Sequence, residues 1–301
     1  MRVTDKILQN IFLANLNSIS ERTFKSETEV LTNKKINKPS DDPVNTLSAL
    51  NVRSRISEYN QFTRNISEAQ TALKNTESGL DKLNDIFQEL STLAITGTTD
   101  AESEFNSVTV ASDVNNLIEQ IFSVANTKSP SGYIFAGTKS DTAPYQATRD
   151  ENGEISSVVS AGSEGNILQM IGQNLKMVTN VEGQDVFENN GNLFELAINL
   201  RDNLRSGDIQ AVKDSLSDFN SSTEKIINIQ SEIGSKINRV SSASSRVELD
   251  LRNYEEYLSN LEDVDPSEAI VKYQMELQNL QNALEAGSRL MQQTSLIDFL
   301  I

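Results

Sequence analysis

The residues best placed to do chemistry are few: Ser235 beside Lys236, the triplet Ser40-Asp41-Asp42, and the loop Asp150-Glu-Asn-Gly153. A serine next to a lysine can supply a nucleophile and its base, and neighbouring carboxylates can trade a proton or hold a cation. None of the three has the surroundings that such chemistry needs. The Asp150 loop begins as a calcium loop would, but the spaced ligands and closing Glu of an EF-hand are missing, so it reads as a hairpin turn. The chain has no His and no Cys. That removes His-dependent triads, HExxH zinc sites, thiol nucleophiles and thiolate metal centres together. No catalytic, cofactor-binding or metal-binding residue is assigned, and the chain reads as a non-enzyme.

Composition narrows the partners. The 301 residues carry a net charge of -17, and 37% are hydrophobic, with no Trp. A polyanion gains nothing from counterion release on nucleic acid and is repelled by acidic membranes, so neither is an expected partner. Without Cys there are no disulfides, which fits the cytosol or a protein that is secreted unfolded. Gln9, Asn10, Asn15 and Asn17 break up the first apolar stretch before the core of a cleaved signal can form. No later stretch approaches a membrane span.

The elements that must position any site are helices. The five prolines stand at 39, 43, 130, 144 and 266, and eight of the thirteen glycines fall between Gly132 and Gly191. Two long proline-free arms therefore flank a turn-rich middle. In the first arm Val52, Tyr59, Ile66, Leu73, Leu80, Phe87 and Ala94 recur every seven residues. A second row holds Phe62, Ala69, Leu83 and Leu90, interrupted by Thr76. In the second arm Val212, Phe219, Ile226, Ile233, Val240, Val247, Tyr254 and Leu261 form one apolar row, with Ile237, Leu251 and Leu258 beside it. Shorter apolar faces lie near the two chain ends: Leu8, Phe12, Leu16 and Ile19, and Ile270, Leu277, Leu280, Leu284 and Met291. Residues 116–124 and the stretch from Leu193 to Leu200 read as amphipathic helices. Asn152-Gly153 between extended runs predicts a hairpin, and 167–171 and 175–181 read as further strands. Excess acid concentrates in residues 140–208, which have eleven acids against four bases. That is the pattern of an outward-facing surface.

The stretch Lys35-Ile-Asn-Lys-Pro-Ser-Asp-Asp-Pro-Val44 is a boundary between helices. The first helix should stop near Thr32-Asn33, with Lys34, Lys35 and Lys38 complementing the negative end of its dipole. Pro39 forces Lys38 extended. Asp42 stands where an N-cap belongs, because Pro43 suits the first helical position, and its carboxylate can accept the amide of Val44 or Asn45.

The wording of several segments resembles the flagellin superfamily and, within it, the FlgL type of hook-associated protein at the hook-filament junction. The resemblance covers about the first 140 and last 110 residues. It rests on Met1-Arg-Val-Thr4, the turn from Lys35 to Pro43, Gly132-Tyr-Ile-Phe-Ala-Gly137, Ile233-Gly234 with Asn238-Arg239, Glu262-Asp-Val-Asp265 with Glu268-Ala269, and the ending Ser295-Leu-Ile-Asp-Phe-Leu300. Flagellin proper usually has a DDAAG-like turn and a QANQ-like ending. Asp41-Asp42-Pro43-Val44 and the Leu-Ile-Asp-Phe ending fall on the junction-protein side. Ala94-Ile-Thr-Gly-Thr98 departs from the Asn-Gly turn that related chains carry there.

The resemblance implies a mainly α fold: an elongated, flagellin-like helical rod with paired N- and C-terminal helices and a small β-rich insert domain. Residues 1–39 and 266–301 would form a terminal axial coiled-coil domain, 40–139 and 190–265 the helical rod, and 140–189 an outer β-rich insert. It also implies a structural role in the flagellum, joining a hook-side junction protein of the FlgK type to the flagellin filament. Copies of the chain itself and a flagellar export chaperone would be further partners, and the subunit would leave the cell by the flagellar type III route. A minor flagellin, a secreted coiled-coil subunit of another type III apparatus, and an enzyme carried in the insert are the rival readings. The two terminal segments, cut off by Pro39 and Pro266, are expected to be marginal as an isolated helix pair and to complete their fold with neighbours.

Overall fold

Proline, aspartate and asparagine set the helix boundaries. The computed structural model describes residues 2–99, 104–130, 132–162, 165–188 and 191–299, with side chains for all of these except 2–5, 99, 104–106 and 290–299. Helix α1 (Arg2–Thr32) ends where Asn33 turns to φ 54°, the left-handed conformation that closes many helices. Both α2 (Pro43–Thr99) and α7 (Pro266–Phe299) open on the proline of an Asp-Pro step. Asp42 Oδ1 accepts the Asn45 amide at 3.0 Å, and Asp265 Oδ1 accepts the Ser267 amide at 2.8 Å. The other helices are α3 (Glu104–Ala125), α4 (Gly183–Phe187), α5 (Leu193–Ser206) and α6 (Ile209–Glu262). Thus α3 is much longer than the 116–124 stretch that the sequence marks. At α5 the Asn192 side chain caps the Phe194 and Glu195 amides, and Gly207 closes the helix at φ 71°.

Among the described residues the strands pair as antiparallel neighbours: β1 (Lys128–Ser129) with β2 (Gly132–Tyr133), β3 (Tyr145–Arg149) with β4 (Ile155–Ser160), and β5 (Leu168–Gly172) with β6 (Leu175–Val178). The Asn152-Gly153 signal marks the β3–β4 turn. There Gly153 takes φ 83°, and Asp150 Oδ1 accepts the amides of Asn152 and Glu154, each at 2.9 Å. The Asp150 carboxylate is thereby used in shaping the turn. Among the described residues no group of three or more acidic side chains is placed to hold a metal ion.

The chain divides into two units, residues 1–58 with 250–301, and residues 59–249. In the second unit the heptad rows are core. From Tyr59 to Ala94 every row position of α2 is buried, including Thr76, whose hydroxyl bonds to the Ala72 carbonyl at 3.0 Å. On α6, Val212, Phe219, Ile226, Ile233, Val240 and Val247 are buried. The two helices meet through side chains, with Phe87 and Phe219 at a centroid distance of 5.9 Å. A second cluster packs Phe187 against Phe135, Tyr145 and Phe194 at 5.3, 5.1 and 5.5 Å. It fastens β3 and the turn before it to α4 and α5. Arg201 of α5 is buried with it, donating to the Ile155 carbonyl at 2.9 Å and to Asn115 Oδ1 at 3.0 Å. The β3–β4 hairpin therefore shares a core with α3 and α5.

Candidate assembly surface

The first unit brings the two terminal helices together, and the fully buried residues between them, among the described side chains, are small or polar. Helices α1 and α7 pack side by side. Along them Thr23, Ser26 and Glu29 of α1 are buried, as are Ala269 and Gly287 of α7. The Thr23 hydroxyl bonds to the Ile19 carbonyl at 2.9 Å and reaches the Glu276 carbonyl at 3.3 Å, and Ser26 bonds back to the Thr23 carbonyl at 3.0 Å. Glu29 accepts from Lys272 at 2.8 Å, and Glu276 pairs with Arg22 at 3.3 Å. At Gly287 a side chain would collide with the ring of Phe12, so the close approach of the helices depends on glycine there.

The large apolar side chains are mostly elsewhere. Of the residues that periodicity selects, Phe12, Leu16, Ile19, Leu277 and Leu280 are half-buried, whereas Leu8 (59% exposed), Ile270 and Leu284 face solvent. Met291 lies outside the described side chains. Ile7, Ile11, Leu13, Phe24, Val271 and Met275 are also exposed, and the sequence reading missed them. It followed one row per helix, and that row runs nearest the contact between the helices. The signal that could have found the others was the density of apolar residues over residues 7–13, where Ile7, Leu8, Ile11 and Leu13 turn different ways around one helix.

The segments joining these helices to α2 and α6 are clasped. Lys34 forms an antiparallel bridge with Asp263, the Lys35 amide donates to the Glu262 carbonyl at 2.7 Å, and the Val264 amide donates to the Asn33 carbonyl at 3.1 Å. Glu262 is 3% exposed and accepts from Lys34 Nζ at 2.8 Å and Arg53 Nη2 at 2.7 Å. Burial pushes its carboxyl up, and the two cations outweigh that, holding it below the ordinary carboxylate range. The lysines thus do something other than complement the end of α1. Lys34 serves Glu262, and Lys35 Nζ donates to the Asn260 carbonyl at 2.8 Å in the last turn of α6. The reason is the bridge, which turns the connector toward α6.

The two aspartates of the turn divide the work. Asp41 Oδ2 accepts the amides of Lys38 and Asn37 at 2.8 and 3.1 Å, and Oδ1 lies 3.3 Å from Lys25. Burial is the largest single influence on its carboxyl and raises it, but the Lys38 and Asn37 amides and Lys25 together outweigh burial and hold it low. Asp42 is also held low, by the Asn45 amide and side chain. One acid folds the turn back on itself and the other starts α2. Among the described residues Ser40, Ser235 and Lys236 gather no catalytic partner: the Lys236 amine pairs with Glu232 at 2.8 Å, one turn before it on α6.

The chain is similar to known proteins in sequence and in fold. Residues 3–140 match the bacterial flagellin N-terminal helical region, and residues 217–300 match the bacterial flagellin C-terminal helical region. Flagellar hook-associated protein 3 of Escherichia coli is 22% identical over 311 aligned positions, spanning 95% of this chain and 96% of that protein. A solved flagellar hook-associated protein from Vibrio parahaemolyticus superposes with a TM-score of 0.66 at 19% identity, over 74% of this chain and all of that one. FlgL of Bacillus cereus superposes with a TM-score of 0.58 at 16% identity, over 69% of this chain and 99% of that one. Among the described residues no helix is long and apolar enough to cross a membrane. With both helical regions matched and a curated relative aligned over 95% of this chain, the chain belongs to the flagellin superfamily, as a structural protein of the FlgL type.

Proposed function

We propose that the chain is the subunit that joins the hook-side junction protein, of the FlgK type, to the flagellin filament, and that it assembles through its terminal helices. One observation carries this reading. Among the described side chains, the fully buried part of the contact between α1 and α7 is Thr, Ser, Glu, Ala and Gly with ion pairs, Phe12, Leu16, Ile19, Leu277 and Leu280 are half-buried along it, and Ile7, Leu8, Ile11, Leu13, Phe24, Ile270, Val271, Met275 and Leu284 are left uncovered. At about 25 cal/mol per Å2, an exposed run of Ile, Leu, Phe and Met is a strong drive toward association. Neighbouring copies in a ring or tube, with FlgK-type and flagellin subunits above and below, would cover such faces. In this reading 1–39 and 266–301 form the axial domain, 40–139 and 190–265 the rod, and 140–189 the outer insert. The subunit is exported by the flagellar type III route with a dedicated chaperone, and the absence of Cys supports passage as an unfolded chain.

The alignment with a hook-associated protein over 95% of this chain supports the junction over the filament shaft. Antibody raised against residues 140–189 is the test. Label at a single point near the base of each filament is the expected result, and label along the whole filament would make the chain a minor flagellin instead.

A further inference from the structure

A groove of about 760 Å3 runs between the tip of the β5–β6 hairpin and α6, lined in part by Ile171, Leu175, Gly234, Ala243, Arg239 and Arg246. The Asn65 side chain of α2 donates to the Met170 carbonyl at 2.7 Å, which holds the hairpin in place. Ile171 and Ala243 are buried, and Gly234 leaves open the space that a side chain would take. Arg239 and Arg246, seven residues apart on one face of α6, are exposed, and among the described residues neither pairs with a carboxylate. In a chain of net charge -17, two unpaired guanidiniums at the side of a partly apolar groove are set to receive acid.

The chain carries such acid itself. On α2, Glu77, Asp81, Asp85 and Glu89 recur every fourth residue, and like charges at that spacing destabilise a helix. Asp85 and Glu89 are exposed, and among the described residues neither they nor the nearby Lys82 form an ion pair. Ridge and groove cannot meet within one chain. Asp81 accepts from Gln230 at 2.8 Å and Phe87 packs on Phe219, so α2 and α6 run antiparallel. The helical rise per residue then puts Asp85 and Arg246 about 30 Å apart along them.

We propose that the groove at Arg239 and Arg246 of one copy receives the Asp85–Glu89 ridge of the next, which rests on the reading above that copies of the chain assemble with one another. Such a contact joins two different surfaces of identical chains, so it repeats around a ring or along a helix instead of closing as a dimer. The separation of ridge and groove staggers neighbouring rods by about 30 Å along their axes. Ile171 and Leu175 wall the groove and keep water from the ion pairs, where the attraction is strongest.

A chain without Cys makes engineered cysteines unambiguous. Gln88→Cys and Ser242→Cys stand beside the ridge and in the groove and leave all of the charges in place. The full chain with both, expressed in its own cells in place of the native one, should give a ladder of disulfide-linked dimers and larger species when isolated flagella are oxidised. Either cysteine alone should give none, and the two lie too far apart to bridge within one chain. Flagella that contain the doubly substituted chain without a ladder would overturn this contact and leave the assembly reading standing. A native chain absent from isolated flagella would overturn both. If the cysteines prevent incorporation, charge reversal decides. Arg246→Glu should cut incorporation several-fold, and Asp85→Arg in the same chain should restore it. Incorporation unchanged by Arg246→Glu, or not restored by the exchange, would overturn the contact.

Discussion

At the scale of residues, the chain uses the same side-chain types for opposite ends according to what surrounds them. Asp42 and Asp265 each precede a proline and cap the helix that it opens. Asp42→Ala should therefore lower the Tm, and Asp42→Asn, which keeps an accepting oxygen, should restore most of it. An Ala variant that melts like the native chain would show that the cap contributes nothing. Two glycines make a sharper pair. Gly234 lies inside α6 with open space, among the described residues, where a methyl group would sit, whereas Gly287 lies against the ring of Phe12. Alanine is favoured over glycine in a helix by about 1 kcal/mol. Gly234→Ala should stabilise the chain by about 0.5 to 1 kcal/mol in denaturant unfolding. Gly287→Ala should lose that gain and destabilise, because the Phe12 ring must move and the helices must part. Equal stabilisation by both would contradict the close contact of α1 with α7.

At the scale of elements, the connectors act as a clasp in which charge is bound to backbone pairing. Asp41, Asp42, Glu154 and Glu262 are all held below their ordinary values. The causes are their bonds to backbone amides, Asn45, Lys25, Arg205, Lys34 and Arg53, opposed at Asp41, Glu154 and Glu262 mainly by burial. In the acid range the unfolded chain binds more protons than the folded one, so stability rises with pH there. It is complete above the unfolded carboxylate values of about 4 and is lost as pH falls through the lower folded values. With no His to titrate, the Tm should stay level from about pH 6 to 8 and drop below about 4. Glu262→Gln should flatten part of that drop, and a Tm that slopes between pH 6 and 8 would contradict the assignment. Much of this architecture was legible in the sequence, because the heptad rows of α2 and the α6 row from Val212 to Val247 obey a local period and are buried as that period requires, whereas Tyr254, Leu261 and the neighbouring Ile237, Leu251 and Leu258 are half-buried. The Asn152-Gly153 turn and the Asp42 cap are also local signals. What stayed hidden depends on distant partners. Glu262 finds Lys34 and Arg53 across more than two hundred residues, Arg201 finds the Ile155 carbonyl, and Phe135 and Phe187 meet between elements that no spacing rule connects.

At the scale of the whole molecule, one unit of the chain is complete and the other is not. Residues 59–249 enclose Leu73, Leu80, Phe87, Phe219 and Ile226 in a closed apolar core. Helices α1 and α7 bury mainly small and polar side chains between them, half-bury Phe12, Leu16, Ile19, Leu277 and Leu280, and leave Ile7, Leu8, Ile11, Phe24, Val271 and Met275 in solvent. A helix pair with so little apolar burial opens at low cost, whereas the same pair surrounded by neighbours has the burial to stay closed. Assembly would then complete the fold at the chain ends, which keeps subunits from polymerising before they reach their place. Hydrogen exchange on the full chain, in dilute solution and in the assembled state, tests this most directly. Amides of residues 8–30 and 270–289 should exchange fast in the dilute chain while those of 59–94 are protected, and all three should be protected after assembly. Protection of both terminal helices equal to that of 59–94 in dilute solution would contradict the claim that their uncovered faces are the assembly surface.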